Sequence, residues 1–258
     1  MVKPLIVDIL ETRRETPLVT TLRFMDGTPA SPGQYYMIWM PGVDEVPMSI
    51  CHIGEKKGIA VHAKGVATRA LAGLSPGERI GVRGPYGRGF TMRTGRALVV
   101  AGGTGIACLS PLVEMLAEKG PRPTVVLGAK TRAELLFVER NRSVADVVIT
   151  TDDGTAGRKG LATDAASGLL GKGGFKQVYC CGPELMMRKV AQLARDRKLP
   201  VQLALERYMK CAVGICDACA MGGVHICVEG PVLEGSEALK LAEFGSFRRD
   251  SSGRMEKI

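Results

Sequence analysis

Aromatic residues are scarce in this sequence: one Trp, five Tyr and six Phe, or 5% of 258 residues. Stacking on single-stranded nucleic acid needs such rings. Basic residues occur as pairs, among them Arg13–Arg14, Lys56–Lys57 and Arg248–Arg249, and form no long stripe, which also speaks against a nucleic-acid binder. Long hydrophobic runs are absent too. Ala97–Ala101 is the longest near the middle of the chain, far short of the ~20 residues that span a bilayer as a helix. The opening stretch MVKPLIVDILETRRETPLV has no sustained apolar segment ending in small residues, so it does not read as a secretory signal. No internal repeat, low-complexity tract or long linker is visible. The expectation is a cytoplasmic protein with neither a membrane nor a nucleic acid as partner.

What is present is more telling. Hydrophobic residues make up 45% and charged residues 24%, ordinary for a globular chain, and the length allows two small cores. The formal charge of +9 suits an acidic partner or an anionic cofactor as well as a generically basic surface. There are eight cysteines, and in a reducing compartment structural disulfides are not expected. Cys51, Cys108, Cys180 and Cys181 are scattered, whereas Cys211, Cys216, Cys219 and Cys227 crowd into one short stretch.

The hydrophobic rhythm changes twice. Residues 1–94 read as short strands (LIVDILET, PLVTTLRF, GQYYMIWM, VPMSICHI, GIAVHAKG, ERIGVRGPYG) separated by turn signals such as Asp26-Gly27 and Pro41-Gly42, the pattern of an antiparallel β barrel or sandwich. ATRALAGL at 67–74 reads as one helix among them. From residue 95 strands alternate with helices: ALVVAGGTG, SPLVEMLAEKG, PTVVLGAK, DVVITTDDG, QVYCCGP and ELMMRKVAQLARDRK, with VQLALERYM as a further strand. That alternation implies an α/β domain with a parallel sheet. Residues 206–258 are different again, dense in Cys, Gly and Met and then polar. The expected domains are therefore 1–94, 95–205 and 206–258.

The sharpest motif is Cys211-x4-Cys216-x2-Cys219-x7-Cys227. Its beginning has the spacing of plant-type [2Fe–2S] proteins, in which four thiolates hold two irons. Gly214 and the small Ala212 and Ala218 would let the chain wrap a cluster, and Gly222-Gly223 would turn it back to the fourth ligand. A zinc site from the same cysteines is the alternative, but zinc usually has two C-x2-C knuckles and only one occurs here. AGGTGIA at 101–107 follows a buried strand, so Gly102, Gly103, Thr104 and Gly105 could receive phosphates at a helix start, or simply make a tight turn. CGPELMM at 181–187 ends another strand. Cys181, Gly182 and Pro183 would then lie at the carboxyl edge of the sheet, where ligands of open α/β sheets bind; a core cysteine is the other reading of Cys181. TTDDGTAGRKG at 150–160 is a third strand-end loop. In the first third, VPMS at 46–49, GVATRAL at 65–71 and GPYGRGF at 84–90 are weaker signals.

Taken together, PGQYYMIWMPGVDEVPMSI, GPYGRGF, AGGTGIA, TDDGT, CGPELMM and KCAVGICDACAMGGVHICVEGPVL resemble the ferredoxin–NADP reductase superfamily. With the cysteine cluster added, the chain from about residue 4 to residue 235 is similar to electron-transfer subunits of NAD-linked, heterodimeric dihydroorotate dehydrogenases. The resemblance implies roles by position. Pro47, Met48 and Ser49 match the flavin-contacting stretch, and Gly65, Val66, Ala67 and Thr68 the FAD phosphate loop. Gly102, Gly103, Thr104 and Gly105 match the nucleotide loop, Cys181, Gly182 and Pro183 the segment beside the nicotinamide, and the four clustered cysteines the iron ligands. One departure matters: Val46 stands where the family usually has an arginine, which leaves FMN as an alternative to FAD unless Arg69 or another cation substitutes. Lys130 and Arg132 could meet a 2′-phosphate, so NADP stands beside NAD.

The implied function is an oxidoreductase component of pyrimidine biosynthesis. It would pass electrons between an FMN-containing catalytic dihydroorotate dehydrogenase subunit and NAD by way of [2Fe–2S] and FAD, in a heterotetramer. No orotate site of its own is expected. The same module could instead serve a hydrogenase, a ferredoxin-dependent transhydrogenase or an oxygenase.

Overall fold

A computed structural model describes residues 3–250 and 252–258. Its first sheet is wholly antiparallel. It is built from β1 (Leu5–Asp8), β2 (Glu11–Arg14), β3 (Val19–Met25), β4 (Tyr35–Met40), β5 (Asp44–His52), β6 (Lys56–His62) and β7 (Arg79–Tyr86), with α1 (Val66–Ala72) between the last two. The order across the sheet is β1-β7-β4-β5-β6-β3-β2. LIVDILET, expected as one strand, is two. Ile9 donates to Glu78 O and the next residue, Leu10, to Arg23 O, so the chain changes partner at that corner and the sheet curls into a barrel. Alternation along β4 explains its two faces. Tyr36 and Ile38 enter the barrel core with Leu22, Phe24, Ile50, Ile59 and Ile80. Tyr35 and Met37 leave it and join one of the two cores packed on the second sheet.

The second sheet comprises β8 (Ala97–Gly102), β9 (Thr124–Ala129), β10 (Asp146–Thr151), β11 (Arg158–Lys159), β12 (Gln177–Cys181) and β13 (Val201–Ala204). Around it pack α2 (Ile106–Lys119), α3 (Val138–Arg142), α4 (Ala162–Lys172) and α5 (Glu184–Asp196). These six strands run parallel in the order β11-β10-β9-β8-β12-β13. The continuous β-branched runs follow from burial on both faces.

Two expectations shift here, and one helix was not foreseen. The Ser-Pro at 110–111 looked like a helix start, but Ile106, Ala107, Cys108 and Leu109 are all buried, and that burial extends α2 one turn earlier with Pro111 inside it. VQLALERYM is a strand only to Ala204, because Leu205 next faces Pro231, which accepts from Leu205 N–H but has no N–H to return. Helix α4 had no sequence reading, since its buried stripe is mostly alanine: Ala162, Ala165, Ala166 and Leu170.

The cysteine-rich segment adds a small hairpin, β14 (Ala220–Met221) with β15 (Val224–His225), then β16 (Val232–Glu234), the turn α6 (Gly235–Ala238) and a terminal hairpin of β17 (Phe247–Arg249) and β18 (Met255–Lys257). Strand β16 joins the second sheet antiparallel to β13. Gly222 and Gly223 make the two-residue turn of the small hairpin, both at positive φ (56° and 87°), as such turns require. No helix among the described residues is long and apolar enough to cross a membrane.

Candidate functional site

The second sheet reverses strand order between β8 and β12, which are adjacent there. A crevice at the carboxyl ends opens at such a point, and both glycine motifs stand beside it. Their glycines serve different ends. A Cβ on Gly105 would lie 2.3 Å from the Cys181 carbonyl oxygen, and one on Gly102 would lie 2.6 Å from Pro183 Cδ. These two allow the AGGTG loop to seat against the CGP loop. Gly103, at φ +53°, would meet nothing within 4 Å; its backbone faces open space and is the part of the loop that a phosphate can approach. Thr104 stands beside it, half-buried.

Cys181 is half-buried and its thiol contacts that of Cys108. The Cys108 contact and burial hold it well above the usual thiol range. Cys181 is therefore a neutral, soft side chain at the edge of the crevice, suited to contact and not to nucleophilic attack. The Asp153 loop is largely self-contained. Asp153 accepts from Thr155 N–H and Oγ1 at 2.9 and 2.7 Å. Arg132 donates from its N–H to Thr155 Oγ1 and from Nε to Thr155 O, at 2.8 and 3.0 Å. Arg132 thus fastens this loop and is only partly free for an anion.

On the barrel, the register pairs Tyr35 with Ser49, Tyr36 with Met48 and Met37 with Pro47. Pro47 and Ser49 therefore share the outer face with Tyr35, and the Met48 side chain turns toward the barrel core. In the phosphate-loop stretch, Val66 is exposed and Ala67 buried against the barrel. The Thr68 hydroxyl accepts from Gly65 N–H and Lys64 N–H at 2.9 and 3.0 Å. Those bonds fix the entry to α1 and leave the first-turn N–H groups without helical partners.

Val46 packs at the barrel core, so no cation occupies its position. The nearest guanidinium in the register is Arg83, opposite Met37 on the far side of β4 from Pro47. It is held by Glu45 at 2.6 and 2.7 Å and reaches Tyr86 Oη at 3.2 Å. Arg69 donates to Lys64 O and, with Arg14, lines a shallow cavity of about 210 Å³ beside α1.

The four clustered cysteines lie between β13 and β16. Cys219 and Cys227 are buried together in one core cluster, whereas Cys211 is half-buried and Cys216 exposed. Among the described residues, no three thiol, imidazole or carboxylate groups converge on one ion. Four cysteines in this order, with one Cys-x2-Cys pair in place of two, suit a pair of irons with two ligands each better than a single tetrahedral zinc.

The loop backbone supports that role. Val213 and Ile215 N–H point at Cys211 Sγ at 3.4 and 3.5 Å, and Cys227 N–H at Cys219 Sγ at 3.4 Å. In the same loop Ala212 and Asp217 adopt φ of 61° and 55°, a left-handed conformation that costs a non-glycine residue roughly 1–2 kcal/mol. Strain of this kind concentrates at functional sites. Burial opposes ionisation of Cys211, but the N–H groups of Ile215, Val213 and Cys216 outweigh it and bring the thiol down to about 6. Burial, with Cys219 alongside, pushes Cys227 up to about 12. His225 closes the loop, its Nε2 2.5 Å from Asp217 Oδ1.

Two contacts tie these regions together, and neither was evident in the sequence. Tyr35 Oη donates to the Cys227 carbonyl at 3.0 Å, across 192 residues of chain. The buried Arg207, four residues before Cys211, grips Glu184, the residue after Pro183, with both arms; the longer measures 2.7 Å. Period-two alternation in GQYYM would have put Tyr35 on the outer face, but nothing local says what it touches. GPYGRGF finds its place here as well: Gly87 lies against Pro231, and Arg88 N–H donates to Gly230 O, so this loop clamps the barrel to the chain just beyond Cys227.

Comparison with known proteins agrees with this geometry. The family described as the iron-sulfur cluster binding domain of dihydroorotate dehydrogenase B matches residues 206–239. A relative from Methanocaldococcus jannaschii is 40% identical over 98% of each chain, and one from Thermoplasma volcanium is 42% identical over 97% of each. Both are described as probable dihydroorotate dehydrogenase B (NAD(+)), electron transfer subunit. Among solved structures, one of an NADH-dependent reduced ferredoxin-NADP oxidoreductase superposes with a TM-score of 0.82 at 29% identity, over 92% of this chain and 91% of that one. The flavohem-like FAD/NAD binding domain of a Vibrio cholerae nitric oxide dioxygenase shares the fold, with a TM-score of 0.65 at 16% identity, over 77% of this chain and 95% of that one. The chain belongs to the family of electron transfer subunits of NAD(+)-linked dihydroorotate dehydrogenase B.

Proposed function

We propose that this chain carries electrons between a separate catalytic dihydroorotate dehydrogenase subunit and NAD, through a [2Fe–2S] cluster and FAD, in pyrimidine biosynthesis. The observation that carries the reading is the meeting of three elements. The outer barrel face bearing Pro47 and Ser49 touches the cysteine loop through Tyr35. That loop is tied through Arg207 and Glu184 to the Cys181–Pro183 edge of the sheet. When bound, a flavin exchanges electrons singly or in pairs, which lets it stand between a hydride carrier and a one-electron cluster.

The residues supply position. Pro47, Met48 and Ser49 line the flavin, Met48 through its backbone, and Gly65, Val66, Ala67 and Thr68 receive its phosphates. Gly102, Gly103, Thr104, Gly105, Gly182 and Pro183 shape the nucleotide crevice, with Cys181 against the nicotinamide. Segments 1–94, 95–205 and 206–258 divide these tasks. Cys219 and Cys227 are buried, whereas Cys216 is exposed among the exposed Val213, Ile215 and Val228. That open end of the cradle is where a partner's redox centre can approach. The partner is an FMN-containing catalytic subunit, two of each chain form a heterotetramer, and the complex works in the cytoplasm.

The test is an anaerobic preparation with iron, sulfide and flavin quantified, then mixed with the candidate catalytic subunit, dihydroorotate and NAD. Roughly one flavin with two irons and two sulfides per chain, and NADH formed only when both subunits are present, supports the reading. Absence of both cofactors from protein made and kept anaerobically, with iron, sulfide and flavin supplied, overturns it. The likeness to the ferredoxin-NADP oxidoreductase structure favours a second reading, in which the same module serves a ferredoxin-linked transhydrogenase. Oxidation of reduced ferredoxin by NADP+, with NADPH formed and without any response to dihydroorotate, would establish that instead.

A further inference from the structure

We propose that Tyr35 is the positioning residue that couples the flavin strand to the cluster loop, its hydroxyl making a direct hydrogen-bonded link between them. The inference rests on the electron-transfer reading above and names one side chain within it. Tyr35 is 3% exposed, although it lies on the outer face of the barrel. It shares its row with Ser49 on one side and Tyr86 on the other. The Tyr86 ring lies at a centroid distance of 6.0 Å. Its own ring packs in the core that holds Ala212, Cys219, Met221 and Cys227, and Gly87 comes so close that a Cβ there would lie 3.1 Å from the Tyr35 ring. The hydroxyl ends on the carbonyl of a cluster-loop cysteine at 3.0 Å.

A buried tyrosine needs a partner for its hydroxyl, but many would satisfy it; this one is the main chain of Cys227. Donation to that carbonyl draws negative charge away from the cluster side and holds the Cys227 backbone in place. Both effects belong to the outer shell that sets the potential of a metal centre. In the step concerned, one electron leaves the reduced flavin and one enters the oxidised cluster; the tyrosine gains and loses neither electron nor proton.

The experiment compares the reconstituted holoprotein with Tyr35→Phe and, as a control, Tyr86→Phe, whose hydroxyl is bonded to Arg83. Iron, sulfide and flavin content, the cluster's reduction potential and electron paramagnetic resonance spectrum, and the stopped-flow rates of flavin and then cluster reduction by NADH are measured in each. The expected result for Tyr35→Phe is full cofactor content, an unchanged rate of flavin reduction, a lowered cluster potential and cluster reduction slower by roughly tenfold. Tyr86→Phe should match the parent. Unchanged potential and cluster-reduction rate in Tyr35→Phe overturn the proposal. So does an equal slowing in both variants. Loss of the cluster from Tyr35→Phe also overturns it, because the tyrosine would then only brace the loop. If the parent protein binds no flavin or no cluster, or reduces its cluster without the flavin, it is the electron-transfer reading that fails.

Discussion

The cysteine loop and the glycine loops at the sheet edge are held in shape in opposite ways. In the cysteine loop the backbone takes on strain, at Ala212 and Asp217, and N–H groups face sulfur. At the sheet edge the backbone packs against itself, with Gly105 seated on the Cys181 carbonyl. One region is shaped for what it binds and the other chiefly for its neighbour, with Gly103 left facing space. A dense motif can therefore be mostly ligand or mostly packing, and residue type alone does not say which.

That contrast can be broken most completely at the cradle. Cys219→Ser should abolish iron and sulfide while most flavin stays bound, because the two sites are built on different sheets. Equal loss of iron and flavin, measured on one sample, would show that the regions do not stand apart.

The next largest effect is expected at the bridge between the regions. Arg207 and Glu184 form a buried pair, their side chains 2% and 9% exposed. Glu184→Gln leaves a buried guanidinium without its counter-charge, so unfolding free energy should fall by about 3–5 kcal/mol. Denaturant titration checks this, and a change under 1 kcal/mol, on the order of an exposed pair, would mean the bridge carries little.

The two glycines sharpen the comparison. Gly105→Ala forces a methyl onto backbone atoms and should cost about 1–3 kcal/mol. Gly103→Ala meets no atoms but takes a positive φ, costing about 1 kcal/mol, and should weaken NADH binding more than it lowers the melting temperature. Thermal unfolding and a nucleotide titration on both variants would separate packing from binding; the reverse ranking would reverse the assignment. The smallest structural effect is expected from Cys181→Ala. It should slow flavin reduction by NADH and leave iron content and melting temperature close to the parent's. An unaltered rate in stopped flow would make Cys181 a core residue only.

Much of the architecture was legible because it rests on local patterns. Period-two strands gave the barrel, β-branched runs alternating with helices gave the parallel sheet, and the cysteine spacing singled out the cradle. The errors have physical causes. Burial lengthened α2 beyond its Ser-Pro signal, α4 hides its packing face in alanine, and the strand at Val201 ends opposite Pro231, which has no N–H to return. Site residues named from motifs fall where the chain folds together, yet several owe their identity to packing. Met48 and Ala67 turn inward, and Arg132 secures the Asp153 loop.

By itself the sequence determined which chemistry the chain can host, because thiolate spacing, glycine placement and strand rhythm are properties of neighbours along the chain. Only the tertiary structure decided how those sites connect: Tyr35 to Cys227, Arg207 to Glu184, and the Gly87 loop to Pro231. Such contacts join residues remote in sequence, and their worth comes from burial and geometry that exist only once the two sheets have packed together.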